Sequence, residues 1–187
     1  MDYFKDLSAM FLKIEATDER SKILPFGSAI QKVIDLVTSR AKTGGKVIFI
    51  GNGGSASISS HMATDFLKNG NIPALTFNDP AFLTCISNDL GYDQVFRKPI
   101  EVLAKKSDIL FSISSSGKSK NITDATEEAK NKGCLVITLT GFHKDNPLRK
   151  MGDINFYVPS GSYGYVEIAH LAVCHFIIDE IIANKNG

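Results

Sequence analysis

The chain lacks the features that mark a secreted or membrane protein. It has only three cysteines, an odd number with no C-x-x-C pair, which predicts reduced, partly buried thiols in a cytoplasmic protein. Its start, MDYFKDL, lacks the basic and then apolar order of a signal peptide. No uncharged apolar run reaches the length of a membrane span. We therefore expect a soluble, cytoplasmic protein with no membrane partner.

The chain also lacks an excess of charge of either sign, and it lacks a linker that would separate two domains. Its 21 Lys and Arg residues against 20 Asp and Glu residues leave a net charge of +1, whereas a dedicated nucleic-acid binder normally carries a basic surplus. No Pro-, Gly- or Ser-rich tract divides its 187 residues, 43% of which are hydrophobic. We predict no nucleic-acid partner and one domain over residues 1–187 with one sizeable core.

The sequence does contain a regular alternation of two apolar patterns. Helical spacing within residues 2–17 and from about 21 to 42 predicts an N-terminal helical hairpin. Short apolar runs predict strands at 47–50, 74–77, 109–113, 135–139 and 154–158, and helical stretches lie near 56–69, 93–105, 119–132 and 163–184. Strands separated by helices form right-handed βαβ units. We predict an α/β fold, a three-layer αβα sandwich around a five-stranded, mainly parallel sheet.

The stretch from Lys46 to Asp65, KVIFIGNGGSASISSHMATD, contains the first candidate site. An apolar strand, the turn GNGGS at 51–55 and a helix follow one another, so backbone N–H groups and a helix dipole converge on one point. That geometry suits a phosphate. The turn lacks the third glycine of the dinucleotide fingerprint G-x-G-x-x-G, so no nucleotide cofactor is predicted. A plain turn with Ser55 as helix N-cap is the alternative.

A second loop, SSSGKS at 114–119, follows a predicted core strand. It contains Gly-Lys-Ser but is not a Walker A loop, because Ser112 stands where that motif requires glycine. Its four hydroxyls and its backbone N–H groups suit a phosphate monoester, with a solvated turn as the alternative. Ligands of open parallel sheets bind beyond the carboxyl ends of the strands. The predicted loops there include these two and 78–81, 88–91 and 140–147.

Ionisable residues on two predicted helices extend the candidate site. His61 and Asp65 stand four apart and share one helical face. Glu167, His170 and His175 interrupt an otherwise apolar final helix, where such groups must be paired or bound. His61, Asp65, Glu167 and His175 suit a nitrogen and oxygen metal set or acid/base catalysis beside a carbonyl. Their spacing leaves both uses open.

These motifs resemble the sugar isomerase (SIS) domain family, and within it the sedoheptulose-7-phosphate (phosphoheptose) isomerases. The likeness runs from about residue 20 to 184. It is carried by GNGGSA at 51–56, SNDLGY at 87–92, VFRKPIE at 95–101, ISSSGKSKN at 113–121, VITLTG at 136–141 and E-x-x-H-x-x-x-x-H at 167–175. The resemblance implies an aldose–ketose isomerase that forms a D-glycero-D-manno-heptose 7-phosphate through an enediol. It also implies that the substrate is sedoheptulose 7-phosphate and that the product serves the synthesis of heptoses for surface polysaccharides such as lipopolysaccharide.

The resemblance also implies residue roles. The implied substrate-binding residues are Asn52, Gly53, Gly54, Ser55, Asn88, Asp89, Ser114, Ser115, Ser116, Ser119 and Glu167. The implied metal ligands, for one zinc per subunit, are His61, Asp65, Glu167 and His175. Asp65 and His175 are implied as the acid/base pair, on opposite sides of the bound sugar chain. Members of the family are similar to one another in forming homotetramers. The resemblance therefore implies that this chain also self-associates, through residues 1–44.

Two positions depart from the family pattern. Asp65 replaces the usual Glu, which shifts the carboxylate by roughly 1 Å, and such a shift can cost about a hundredfold in rate. Glu167 replaces the usual Gln and adds a negative charge, which could tighten a divalent metal or raise the pKa of a neighbouring carboxyl. Residues 66–70 also differ. Two alternatives are an isomerase of a different phosphosugar and a non-catalytic SIS protein that binds a phosphosugar or a protein partner.

Overall fold

The computed structural model describes residues 2–186, so Met1 and Gly187 of the predicted domain lie outside the described residues. The helices are α1 Tyr3–Phe11, α2 Phe26–Lys42, α3 Gly54–Lys68, α4 Pro80–Leu90, α5 Gln94–Leu103, α6 Lys120–Asn131 and α7 Tyr163–Asn186, with a 3-10 turn at Leu148–Lys150. The strands are β1 Glu15–Asp18, β2 Ile23–Leu24, β3 Val47–Gly51, β4 Ala74–Thr76, β5 Ile109–Ser114, β6 Leu135–Thr140 and β7 Ile154–Tyr157. Across residues 2–186, none of these helices combines the length and apolar character needed to cross a membrane.

The predicted α/β architecture is confirmed. The sheet order is β2-β1-β7-β6-β5-β3-β4, and the five predicted strands, β3 to β7, form its parallel part. Along β3, Val47 and Phe49 belong to the core on one face of the sheet, while Ile48 and Ile50 belong to the core on the other. Both faces are therefore covered by helices, as a run of consecutive apolar residues predicts.

The N-terminal region differs from the predicted helical hairpin. The helix expected within residues 2–17 ends at Phe11, and β1 pairs antiparallel with both β7 and β2. The turn after β1 is closed by Asp18, whose Oδ1 accepts the N–H groups of Arg20 and Lys22, both at 2.9 Å. Pairing with β7 satisfies backbone groups that an exposed sheet edge would leave open. The sheet therefore has seven strands instead of the predicted five.

Helix α4 occupies a region that was predicted to contain the loops 78–81 and 88–91. Asp79 caps its N-terminus by accepting the N–H of Phe82 at 3.0 Å, and Pro80 is its first residue. Both are recognised start signals. The helix contains no fully buried residue, so the apolar stripe that would have revealed it in the sequence is weak.

Candidate active site

The turn GNGGS lies between β3 and α3, at the carboxyl edge of the sheet. Gly53 is the N-cap residue, with φ +55 and ψ −123, a conformation that needs glycine. Ser55 is buried inside the first turn, so the predicted alternative of a Ser55 cap is wrong. The N-terminus of α3 has no side-chain cap, which leaves its dipole available to an anion.

The serine loop, residues 114–119, lies beside this turn, between β5 and α6. Gly117 has φ +62 and donates its N–H to the carbonyl of Ser114 at 3.1 Å. The hydroxyl of Ser115 is buried and has no hydrogen-bond partner within residues 2–186. A buried hydroxyl without a partner is costly, so this hydroxyl is available to a polar ligand.

The two loops and the start of α7 enclose a cavity of about 240 Å³. Its lining residues are Asn52, Gly53, Gly54, Ser55, Ser114, Ser115, Ser116, Ser119, Tyr163 and Glu167. The structure thus brings together every predicted substrate-binding residue except Asn88 and Asp89. Those two lie on α4, where Asn88 lines a separate shallow cavity with Tyr92.

Tyr163 was missed by the sequence analysis. It is the first residue of α7 and follows the last strand of the sheet. The carboxyl-edge rule applied to β7 would have found it.

Glu167 is the charged residue among those that line the cavity, and it is acidic. A Cβ added to Gly54 would lie 2.5 Å from the Glu167 carboxyl, so that carboxylate packs directly on the N-terminus of α3. A phosphate therefore fits best against the serine loop, away from Glu167. The carboxylate is then free to accept hydrogen bonds from hydroxyl groups of a ligand.

A second cluster lies further along α3 and α7. His61 Nε2 is 3.2 Å from His175 Nε2 and 3.5 Å from Asp65 Oδ2, and His175 Nδ1 is 3.8 Å from Asp65 Oδ2. His61 is seven residues from Gly54, and a rise of about 1.5 Å per residue separates the cluster from the cavity by about 10 Å. The two helices run side by side in the same direction, since Gly54 meets Glu167 and His61 meets His175.

Three of the four predicted metal ligands, His61, Asp65 and His175, have donor atoms within 4.8 Å of one another. Ligand atoms of a tetrahedral zinc, with bonds of about 2.0–2.1 Å, lie about 3.3 Å apart. The two Nε2 atoms of His61 and His175 are 3.2 Å apart, close to this spacing. With one donor atom taken from each residue, all three atoms lie within 4.8 Å of one another, so the three residues are close enough together to hold one ion. Glu167 is outside this group and belongs to the cavity.

The predicted acid/base pair is placed differently from the expectation. Asp65 and His175 were expected on opposite sides of the bound chain, but within this chain their nearest atoms are 3.8 Å apart. The side chain of His175 is 36% exposed and that of Asp65 is 17% exposed. Both can therefore reach a ligand from the same side.

His170, the remaining histidine of the final helix, is part of the core. It is fully buried, and its Nε2–H donates to the carbonyl of Thr140 at 3.1 Å. Burial lowers its pKa to about 4, because the imidazolium would lose its hydration. His170 therefore stays neutral and holds α7 against β6.

The buried His170 is expected to make the protein less stable in mild acid. The pKa is lowered from 6.5 to about 4, so the unfolded state binds the proton more readily, and stability present above pH 6.5 is lost as pH falls towards 4. Between pH 7.5 and 5 this group alone is expected to cost about 2 kcal/mol. Urea denaturation at both pH values checks it against His170→Gln, which lacks the titration. Equal losses in both proteins would contradict the assignment.

The chain is similar in sequence and in fold to known proteins of one family. The SIS domain profile matches residues 2–141. The phosphoheptose isomerase of Cytophaga hutchinsonii is 39% identical over 158 residues, 81% of this chain and 82% of that protein. A solved phosphoheptose isomerase from Francisella tularensis has a TM-score of 0.84 at 30% identity, covering 98% of this chain and 95% of that one. Another, from Neisseria gonorrhoeae, has a TM-score of 0.78 at 30% identity, covering 83% and 86%.

Proposed function

Because the chain belongs to the SIS domain family, we propose that it is a phosphosugar isomerase that converts sedoheptulose 7-phosphate to D-glycero-D-manno-heptose 7-phosphate. Relatives named phosphoheptose isomerase support this substrate. The observation that carries the proposal is the arrangement along α3 and α7. A cavity suited to an anion lies at one end and a His/Asp cluster about 10 Å away. A long sugar chain with a terminal phosphate can reach both.

The phosphate end is held by the serine loop. Ser114, Ser115, Ser116 and Ser119 supply hydroxyl donors, and the N-terminus of α6 adds backbone N–H groups and a favourable dipole. The Glu167 carboxylate accepts hydrogen bonds from sugar hydroxyls between the phosphate and the reacting carbons. The site needs no Arg cluster, because neutral donors in a preformed cavity suffice for a monoester.

The carbonyl end lies at the cluster of His61, Asp65 and His175. In the ketose-to-aldose direction, Asp65 or His175 removes a proton from C1, and the carbonyl oxygen on C2 gains a proton to form the enediol. A proton then leaves the oxygen on C1 while C2 gains one, which gives the aldose. A positioned carboxylate or imidazole typically contributes 10²–10⁴-fold to each such transfer.

The same cluster fits a zinc ion, which His61, Asp65 and His175 would hold through two nitrogens and one oxygen. When bound, zinc would polarise the sugar carbonyl and so ease the loss of the C1 proton. With three protein ligands, the site would resemble catalytic zinc sites, which also use three protein ligands.

Zinc is expected to stabilise the wild-type protein and to have no such effect after loss of a ligand. At a free concentration of about 100 Kd, binding adds about 2.7 kcal/mol, which calorimetry and thermal unfolding both detect. His61→Ala should abolish the gain. His143→Ala, which removes an exposed histidine on the loop after β6, should retain it. A zinc effect that survives in His61→Ala would exclude this site.

We also propose a cytoplasmic homotetramer that supplies heptose for surface polysaccharides. An apolar cavity of about 390 Å³ lies between α1, α2 and α7 and is lined by Phe11, Leu12, Ile14, Phe26, Ala172, Val173 and Phe176. Leu12, at the end of α1, is 89% exposed, and Phe4, in the first turn of α1, is 80% exposed. Such an apolar surface supports burial against other copies, through residues 1–44 and α7.

The direct test is incubation of the purified protein with sedoheptulose 7-phosphate, with and without zinc. We expect an aldoheptose 7-phosphate, detected by NMR at high enzyme concentration. Absence of this product under both conditions would refute the proposed substrate. A parallel screen over pentose, hexose and heptose phosphates then separates an isomerase of another phosphosugar from a non-catalytic protein.

A further inference from the structure

The glycine turn and the start of α6 are joined by a reciprocal pair of amides. Asn121 donates Nδ2–H to Asn52 Oδ1 at 2.9 Å, and Asn52 donates Nδ2–H to Asn121 Oδ1 at 2.9 Å. Tyr92, just beyond α4, donates its hydroxyl proton to the same Asn52 oxygen at 3.1 Å. Asn121 is 2% exposed and is not among the residues that line the cavity, whereas Asn52 is.

These bonds determine which group Asn52 offers to the cavity. An amide oxygen accepts two hydrogen bonds, and Asn121 and Tyr92 supply both. The amide nitrogen has two hydrogens, and Asn121 takes one. The second N–H of Asn52 has no partner within residues 2–186, so the free group of Asn52 is a donor.

We propose that Asn121 is a positioning residue, which with Tyr92 holds Asn52 so that its free N–H faces the phosphate. Without this pair the amide could rotate and present its oxygen, which would repel an anion. The pair also joins residues 69 positions apart in the chain. The pair therefore keeps the glycine turn and the serine loop at a fixed distance from each other.

The inference rests on the proposed function only in assigning the phosphate to this cavity. Its test is a double-mutant cycle on the affinity for inorganic phosphate, measured by calorimetry and needing no turnover. We expect Asn121→Ala and Asn52→Ala each to weaken binding about tenfold, the loss of about one hydrogen bond to a charged group. If Asn121 acts through Asn52, the affinity of the double variant for phosphate should also fall only about tenfold.

Two further variants separate positioning from a general effect on folding. Tyr92→Phe removes one hydrogen bond to Asn52 and should weaken phosphate binding about threefold. Asn131→Ala truncates an exposed Asn on the same helix α6 and should leave the affinity unchanged. With sedoheptulose 7-phosphate, Asn121→Ala should raise KM about tenfold and change kcat less than twofold, because the phosphate does not react.

Losses that multiply to about a hundredfold in the double variant would overturn the inference, as would a wild-type protein that does not bind inorganic phosphate. Phosphate binding with the expected cycle but no isomerised product would refute the proposed function and leave the role of Asn121 intact. An active enzyme with multiplicative losses would refute only the role of Asn121.

Discussion

Asp65→Asn is expected to lower kcat for sedoheptulose 7-phosphate by about a thousandfold. Asparagine matches the shape of aspartate but cannot take a proton and is a weaker metal ligand, and both proposed uses of Asp65 need the carboxylate. KM should change little, because the phosphate cavity is about 10 Å away along α3. Steady-state kinetics with a product assay give both constants.

Two variants serve as controls for this result. Asp179→Asn removes an exposed carboxylate on α7 and should retain full activity. Asp65→Glu keeps the carboxylate on a side chain one methylene group longer and is expected to retain activity within about a hundredfold of wild type, the scale of a 1 Å displacement. If Asp65→Asn keeps more than a tenth of the wild-type kcat, Asp65 is not the acid/base group.

Gly117→Ala is expected to destabilise the protein by about 3 kcal/mol and to weaken phosphate binding at least tenfold. The new Cβ would clash with Asn146 Oδ1. Asn146 is buried, and its side chain accepts the N–H of Arg149 and donates to the carbonyl of His143. Moving Asn146 breaks those bonds, and overpacking of this kind costs about 1–3 kcal/mol. The left-handed backbone adds about 1–2 kcal/mol.

Gly44→Ala is the matched control for Gly117→Ala. Gly44 has φ +80, but a Cβ there meets nothing within 4 Å, and the residue is outside the cavity. Gly44→Ala should lower the free energy of unfolding only by the cost of the left-handed backbone, about 1–2 kcal/mol. The affinity for phosphate should stay unchanged. Urea denaturation and phosphate titration of both variants test the pair. Equal destabilisation would show that the contact with Asn146 contributes nothing.

The parts of the fold predicted well are those with strong local patterns. β3 and β5 are continuous apolar runs followed by a glycine or serine turn, so both the strands and the loops after them could be located from the sequence. β1 and α4 could not be located from the sequence in this way. Residues 15–18 form a strand because β7 needs an antiparallel partner, and α4 has no fully buried residue to reveal its period.

The sequence alone determined the alternation of strands and helices, the two loops at the carboxyl edge and the residue types available there. Tertiary structure decided which of those residues meet. It put His61 beside His175, 114 positions away. It also placed Glu167 in the cavity lining and outside the cluster of His61, Asp65 and His175, and it joined Asn52 to Asn121. The physical reason is the distance along the chain over which each kind of pattern acts. Apolar periodicity and turn chemistry act over a few residues, whereas side-chain contacts across the site depend on how α3, α6 and α7 pack on the sheet.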